Sequence, residues 1–204
     1  MQVTGSNRIA NIRYGLSIRP ESDGQSFSLT EATHTEGGEQ IVEIAIDTPH
    51  QILLPAGEGP SGEEAFALCG VEAAERVIVE SEAGPWRLVA LLPKEAIEKI
   101  SKRHSGLDIA ITSPLVETAQ RALSEERTGY TLRLTKRYLY IIATRKQELL
   151  YAAALLCPTT ADLLYALGAV SEDHPTDGKV WMSGKRAAEM RAEVKRYFKR
   201  VVLE

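Results

Sequence analysis

Cysteine is scarce in this chain. Cys69 and Cys157 are the only two, far apart and without a CxxC spacing or a neighbouring His. That excludes a disulfide framework, and each reads as a small buried hydrophobe rather than a nucleophile. The histidines His34, His50, His104 and His174 are scattered with no HxxxH or HExxH spacing, so the sequence offers no metal-ligand set. The phosphate loops GxxxxGK(S/T) and GxGxxG are missing, as is the GxSxG elbow of serine hydrolases. No apolar run approaches the ~20 residues that span a bilayer. Met1 to Arg8 is polar and lacks the apolar core of a signal peptide, so a cytoplasmic location is expected.

What is present is ordinary in amount and uneven in arrangement. The 204 residues are 44% hydrophobic and 25% charged, enough for one large domain or two lobes with a self-sufficient core. The net charge of −4 conceals a segregation. From Glu36 to Glu82 every charged residue except Arg76 is acidic, and from Arg127 to Lys146 every one is basic. The last stretch adds Lys185, Arg186, Arg191, Lys195, Arg196, Lys199 and Arg200 against Glu189, Glu193 and Glu204. Two solvated faces of opposite sign account for this most simply. The functional alternative is a basic surface for an acidic partner.

A pattern of strand, tight turn, strand, loop and strand, followed by a helix, occurs twice, over Ile12–Asp47 and Tyr130–Leu156. In the first copy Ile12–Ile18 leads to a turn at Pro20 and Asp23-Gly24, and Ser26–Leu29 returns with period-two alternation. Thr30–Glu39 reads as a polar loop, and Ile41–Ile46 as the third strand, with Val42, Ile44 and Ile46 on an apolar face. Ser61-Gly62-Glu63-Glu64 has capping-box spacing for a short helix. Val77–Glu80 and Trp86–Leu92 are further strands, and Pro93 opens a helix with Ala96, Ile97 and Ile100 on one face. Leu107–Thr112 is a strand, and Ser113-Pro114 caps the next helix. The second copy has strands Tyr130–Leu134, Tyr138–Ala143 and Leu149–Leu155. Thr159–Asp162 caps a helix ending at Gly168, Lys179–Met182 is a strand, and a helix runs from Lys185 to Val201. Meanders with intervening helices argue an α/β protein, with a compact first lobe at 1–128 and a second at 129–204.

Tyr14-Gly-Leu-Ser-Ile-Arg-Pro, followed by Asp23-Gly-Gln-Ser-Phe-Ser, resembles the opening of a Bacteroidetes family of unknown function. That family is similar in fold to actin-like ATPases, including the actin-like pilus-assembly proteins. The Leu53-Leu-Pro segment, Tyr138-Leu-Tyr-Ile-Ile, Asp162-Leu-Leu-Tyr and Val180-Trp-Met-Ser-Gly are compatible with it, so the match covers most of the chain. The connections in the first half are short for that family. The resemblance implies a duplicated, ribonuclease H-like architecture with two lobes around a cleft. In active members an Asp-Gly hairpin in each lobe holds metal and phosphate, and a Gly-Gly turn after a late strand admits adenosine.

Phosphoryl transfer depends on positioning and charge neutralisation, so those carboxylates are indispensable. Here Asp23-Gly24 is the first hairpin's only counterpart, and it reads first as a turn pair suited to positive φ. The second hairpin, Thr135-Lys136-Arg137, has neither Asp nor Gly and offers no oxygen ligand for Mg²⁺ among its charged side chains. The late strand ends at Ser183-Gly184-Lys185 with a single glycine, and Ser183 reads as the helix cap. The expectation is therefore a non-catalytic scaffold with no cofactor, a monomer or weak dimer that binds another protein. One alternative is a nucleotide-binding actin-like ATPase, holding ATP and Mg²⁺ through Asp23, Gly24, Ser183 and Gly184. Another is an RNA-associated factor using Lys136, Arg137, Lys195, Arg196, Lys199 and Arg200. Tyr130, Tyr138, Tyr140 and Tyr151 lie in alternating strands, which favours packing over base stacking.

Overall fold

The computed structural model describes residues 12–18, 27–34, 41–57, 59–69 and 76–204. The chain divides into two compact units, Met1–Ser113 and Pro114–Glu204. The first unit contains β1 (Ile12–Ile18), β2 (Phe27–His34), β3 (Ile41–Asp47), β4 (Gln51–Pro55), α1 (Gly62–Leu68), β5 (Arg76–Ala83), β6 (Trp86–Pro93), α2 (Lys94–Arg103) and β7 (Asp108–Thr112). Its main sheet has the order β2-β1-β3-β7. Period-two patterning sets its buried face: Ile12, Tyr14, Leu16 and Ile18 alternate with more exposed neighbours, and Val42, Ile44 and Ile46 do the same.

The first copy is not a three-strand meander. β3 lies beside β1 and parallel to it, with Ile12 opposite Val42, and does not touch the far edge of β2. Because β2 is antiparallel to β1, the chain leaves His34 at the end of the sheet where β3 must start. A short link therefore suffices, and no crossover helix is required. β2 also continues through Thr30–His34, which the polar composition marks as loop.

Between β3 and β7 the chain builds a second, three-stranded sheet of order β4-β6-β5. Leu88 to Leu92 of central β6 are all fully buried, which explains an apolar run without alternation. Phe66 of α1 packs on Val89 and Leu91, beside Ile52, Leu54 and Ile78. The capping box of α1 forms as read: the Glu64 amide donates to Ser61 Oγ at 3.2 Å, and Ser61 N donates back to Glu64 Oε2 at 2.8 Å. Cys69, at the end of that helix, is exposed, contrary to the buried place expected for it. In α2, Glu95 pairs with Lys99 at 2.6 Å, while Ala96 and Ile100 are buried.

The second unit contains α3 (Pro114–Ser124), β8 (Gly129–Leu134), β9 (Tyr138–Arg145), β10 (Glu148–Leu156), α4 (Thr160–Asp173), β11 (Lys179–Ser183), α5 (Ala187–Tyr197) and β12 (Arg200–Leu203). The sheet order is β10-β9-β8-β11-β12, antiparallel across β10, β9 and β8, and parallel from β8 through β11 to β12. Tyr130, Leu132, Leu139, Ile141, Val180 and Met182 meet Leu163, Leu167, Met190 and Val194 of the helices in one core. α3 contacts β8, β9 and β10, so it belongs to this unit. The sequence pattern places the boundary at 128/129, where the second copy of the strand pattern starts.

Two further differences have local causes. α4 runs past Gly168 to Asp173, since Gly168 sits within a helix whose buried Leu163, Leu167 and Val170 keep their spacing. α5 stops at Tyr197, and Phe198 turns extended. Val201 then pairs beside Val180 as part of β12, instead of ending the helix. The duplication itself holds in altered form. β8, β9, β11 and β12 have the same order and directions as β1, β2, β3 and β7. Among the described residues, the first unit has no counterpart of β10 or α4.

The cap of α4 gives a direct test of local stability. The Asp162 amide donates to Thr159 Oγ1 at 3.2 Å, and the Thr159 hydroxyl and amide donate to Asp162 Oδ2 at 2.6 and 2.9 Å. These bonds hold the Asp162 carboxyl below its ordinary 3.8. Thr159→Ala should cost about 1 kcal/mol in urea unfolding. A carboxylate with a lowered folded pKa stabilises above its unfolded value. The difference between the two proteins should therefore shrink as pH falls below about 4.

Candidate functional site

In open α/β sheets, ligands gather outside the carboxyl ends of the parallel strands. In the second unit those ends are Leu134, Ser183 and Leu203. The β8–β9 turn is closed by its own residues: the Thr135 amide donates to Tyr138 O at 3.0 Å, and the Tyr138 amide to Thr135 Oγ1 at 3.2 Å. Cys157 N then donates to Arg137 O at 2.9 Å, tying the turn to the end of β10.

Arg186, just ahead of α5, occupies the space beside this turn. Its Nη1 donates to Cys157 O at 2.5 Å and Lys136 O at 3.4 Å, and its Nη2 to Pro158 O at 2.8 Å. A guanidinium spread over three carbonyls acts as a staple between the β8–β9 turn, the β10 end and α5. Cys157 lies buried at the same place, and burial pushes its thiol up to about 11, against the opposing charge of Arg186. It stays protonated and unreactive, as its sequence context predicts. The sequence marks Arg186 only as one base in a run. Its three carbonyl partners, which only the fold brings together, set it apart.

Ser183 and Gly184 have structural duties in this arrangement. Ser183 Oγ donates to Leu132 O at 3.3 Å, across to β8, so it is not the helix cap expected for it. The cap position belongs to Arg186, whose side chain makes no bond to the helix's own amides. Gly184 has φ +95, and a Cβ there would lie 2.2 Å from Leu134 O. The glycine is required because β8's backbone runs against it. Asp23 and Gly24 lie outside the described residues.

At the carboxyl end of β3 in the first unit, a polar knot follows Asp47. Thr48 is fully buried; its Oγ1 accepts from His50 N at 3.2 Å and its carbonyl from Gln51 Nε2 at 2.5 Å. Gln51 is buried too, with its Oε1 unpartnered. Burial, with a smaller contribution from Arg76, holds His50 below its usual pKa. Only Thr-Pro directly after a strand hints at this knot in the sequence. Among the described residues, no group of three or more His, Cys, Asp or Glu side chains could hold a metal ion.

The six basic residues read as a partner surface fall into two groups. Lys136 and Arg137 are in the β8–β9 turn, near the start of α5. Lys195 and Arg196 are in the last turn of α5, with Lys199 and Arg200 following, and Arg200 pairs beside Lys179 at the start of β11. A helix of that length puts about 16 Å between the groups. Two other members of the basic run are engaged elsewhere: Arg127 is buried, and Arg133 is paired with Glu117. Tyr130, Tyr138 and Tyr140 are fully buried, so they are core residues as their alternation predicts.

Arg127 is the functional-looking residue the sequence misplaces. It is 3% exposed, bonded to Glu125 and Glu204 and stacked on Trp181 at 4.9 Å. Glu204 N also donates to Met182 O at 3.0 Å, so the clasp fixes the end of β12.

No protein-family profile matches the chain, and no curated protein does. Among solved structures it is similar to a Bacteroides thetaiotaomicron protein with actin-like ATPase fold and unknown function. That match has TM-score 0.71 and 11% identity, over 95% of this chain and 91% of that one. Looser matches are the PilM-PilN type IV pilus biogenesis complex (TM-score 0.48, 11% identity, 97% and 88% covered) and the ethanolamine utilization protein EutJ from Carboxydothermus hydrogenoformans (0.43, 10%, 94% and 84%). No helix among the described residues is long and apolar enough to cross a membrane. The first match, together with the repeated strand order, agrees with the resemblance read from Tyr14 to Ser28, and the chain has the actin-like ATPase fold.

Proposed function

We propose that this chain is an actin-like protein that does not hydrolyse ATP and works by binding another protein. The observation that carries this is Arg186. At the second hairpin, where the resemblance implies a phosphate grip, the chain instead places a cation whose Nη donors serve main-chain carbonyls. No carboxylate stands in Thr135-Lys136-Arg137 to hold Mg²⁺. Gly184 is accounted for by the backbone of β8. The division of the basic residues between the two ends of α5 weighs against a continuous groove for RNA. A free thiol at exposed Cys69 suits a reducing compartment, in keeping with a cytoplasmic location.

The test is a thermal-shift titration with ATP and Mg²⁺, with Asp23→Ala alongside. A ligand of the native state at 100 times its Kd adds about 2.7 kcal/mol and must raise Tm. No shift at millimolar ATP is the expected result. A shift that Asp23→Ala abolishes would replace the scaffold with a nucleotide-responsive protein.

A further inference from the structure

We propose that β2 is a dimerisation edge, on which a second copy of this chain adds its own β2 antiparallel across a two-fold axis at Leu29. The inference is independent of whether nucleotide binds. β2 ends its sheet, and among the described residues no strand pairs along its outer side. Its counterpart in the second unit, β9, carries β10 in that position over Glu148–Leu156. The opposite edge of the first sheet is protected, since the β7 amide at Ile111 donates to Ser81 Oγ of β5 at 2.8 Å. β2 has no Pro or Lys, and its bulge, between the Tyr14–Glu31 and Arg13–Thr33 pairs, lies beyond the 27–31 stretch.

The residues of β2 complement themselves about Leu29. An antiparallel two-fold pair sets Leu29 opposite its own copy, Phe27 opposite Glu31, and Ser28 opposite Thr30, with Cβ atoms about 5 Å apart. Phe27 and Glu31 lie on the face covered by α2: Lys99 Nζ sits 5.5 Å from the Phe27 ring centre, and Arg103 pairs with Glu31 at 2.8 Å. Each Lys99 is therefore carried to the Glu31 carboxylate of the other copy, twice per dimer. On the opposite face, exposed Ser28 and Thr30 stand opposite each other, and the Thr30 hydroxyl, which donates to Gly15 O at 3.4 Å, is left to accept from Ser28.

Sedimentation equilibrium over a concentration series tests this, with thermal melts to verify that each variant is folded. The wild type should show a reversible monomer–dimer equilibrium. Ser28→Lys with Thr30→Lys sets like charges face to face and should leave only monomer. Ser28→Lys with Thr30→Glu sets opposite charges face to face and should restore the dimer. Monomer alone for the wild type at every concentration would overturn the proposal, as would undiminished dimer in the double-lysine variant. Failure of the charge-paired variant to recover would overturn the Leu29-centred register.

Discussion

Arg127→Ala should destabilise the protein by about 3 kcal/mol, through the lost charge-assisted hydrogen bonds and the lost packing of its buried stem. At roughly 2–4 °C per kcal/mol for a chain of this size, Tm should fall by about 10 °C. Arg127 is 3% exposed, and its guanidinium joins Glu125, Glu204 and the Trp181 ring, with Thr131 Oγ1 at 3.4 Å from its Nη1. Its loss leaves the Glu204 carboxylate with Arg121 at 3.1 Å and vacates the space against Trp181. Arg127→Lys keeps the charge but not the two-pronged geometry, and should recover only part of the loss. Urea unfolding of both variants decides the matter: a loss below about 1 kcal/mol for Arg127→Ala would mean the clasp is incidental.

Gly184→Ala is the second large effect, and it bears on function as well as stability. A residue with φ +95 is strained for any side chain, at about 1–3 kcal/mol. A Cβ 2.2 Å from Leu134 O forces backbone to move, adding about 1–3 kcal/mol. Gly178→Ala is the control: φ there is +70, but nothing lies within 4 Å of its Cβ, so strain alone remains. The expected ranking in urea melts is a clear excess loss for Gly184→Ala over Gly178→Ala. Equal losses would show that contact with β8 is unimportant, and would return Gly184 to candidacy as a ligand-approach residue.

The regular elements were legible because their signals are local. Val42, Ile44 and Ile46 alternate in sequence and are all buried on one face of β3. Ser61 with Glu64 and Thr159 with Asp162 spell capping boxes, and both form. Glu95 and Lys99 lie one helical turn apart and pair. The candidate site was less legible. A glycine required by a turn and a glycine that admits a ligand look alike in sequence. Arg186 is one of seven basic residues in the closing stretch, and only its three carbonyl partners single it out.

By itself the sequence determined most of the strands and helices with their apolar faces, and that the chain repeats a strand pattern, but not β4, the second half of β2 or β12. Period and cap chemistry depend on residues within a few positions of one another. The tertiary structure alone decided that β3 joins β1, that Val201 leaves the helix for a strand beside Val180, and that α3 packs on the second sheet. Alternation fixes the face of a strand but carries no information about its neighbour, which is chosen by packing over long stretches of chain. The same holds for charge. Arg127 and Arg133 look equivalent in a basic run, yet only Arg127 is desolvated, because burial belongs to the folded chain and not to the residue.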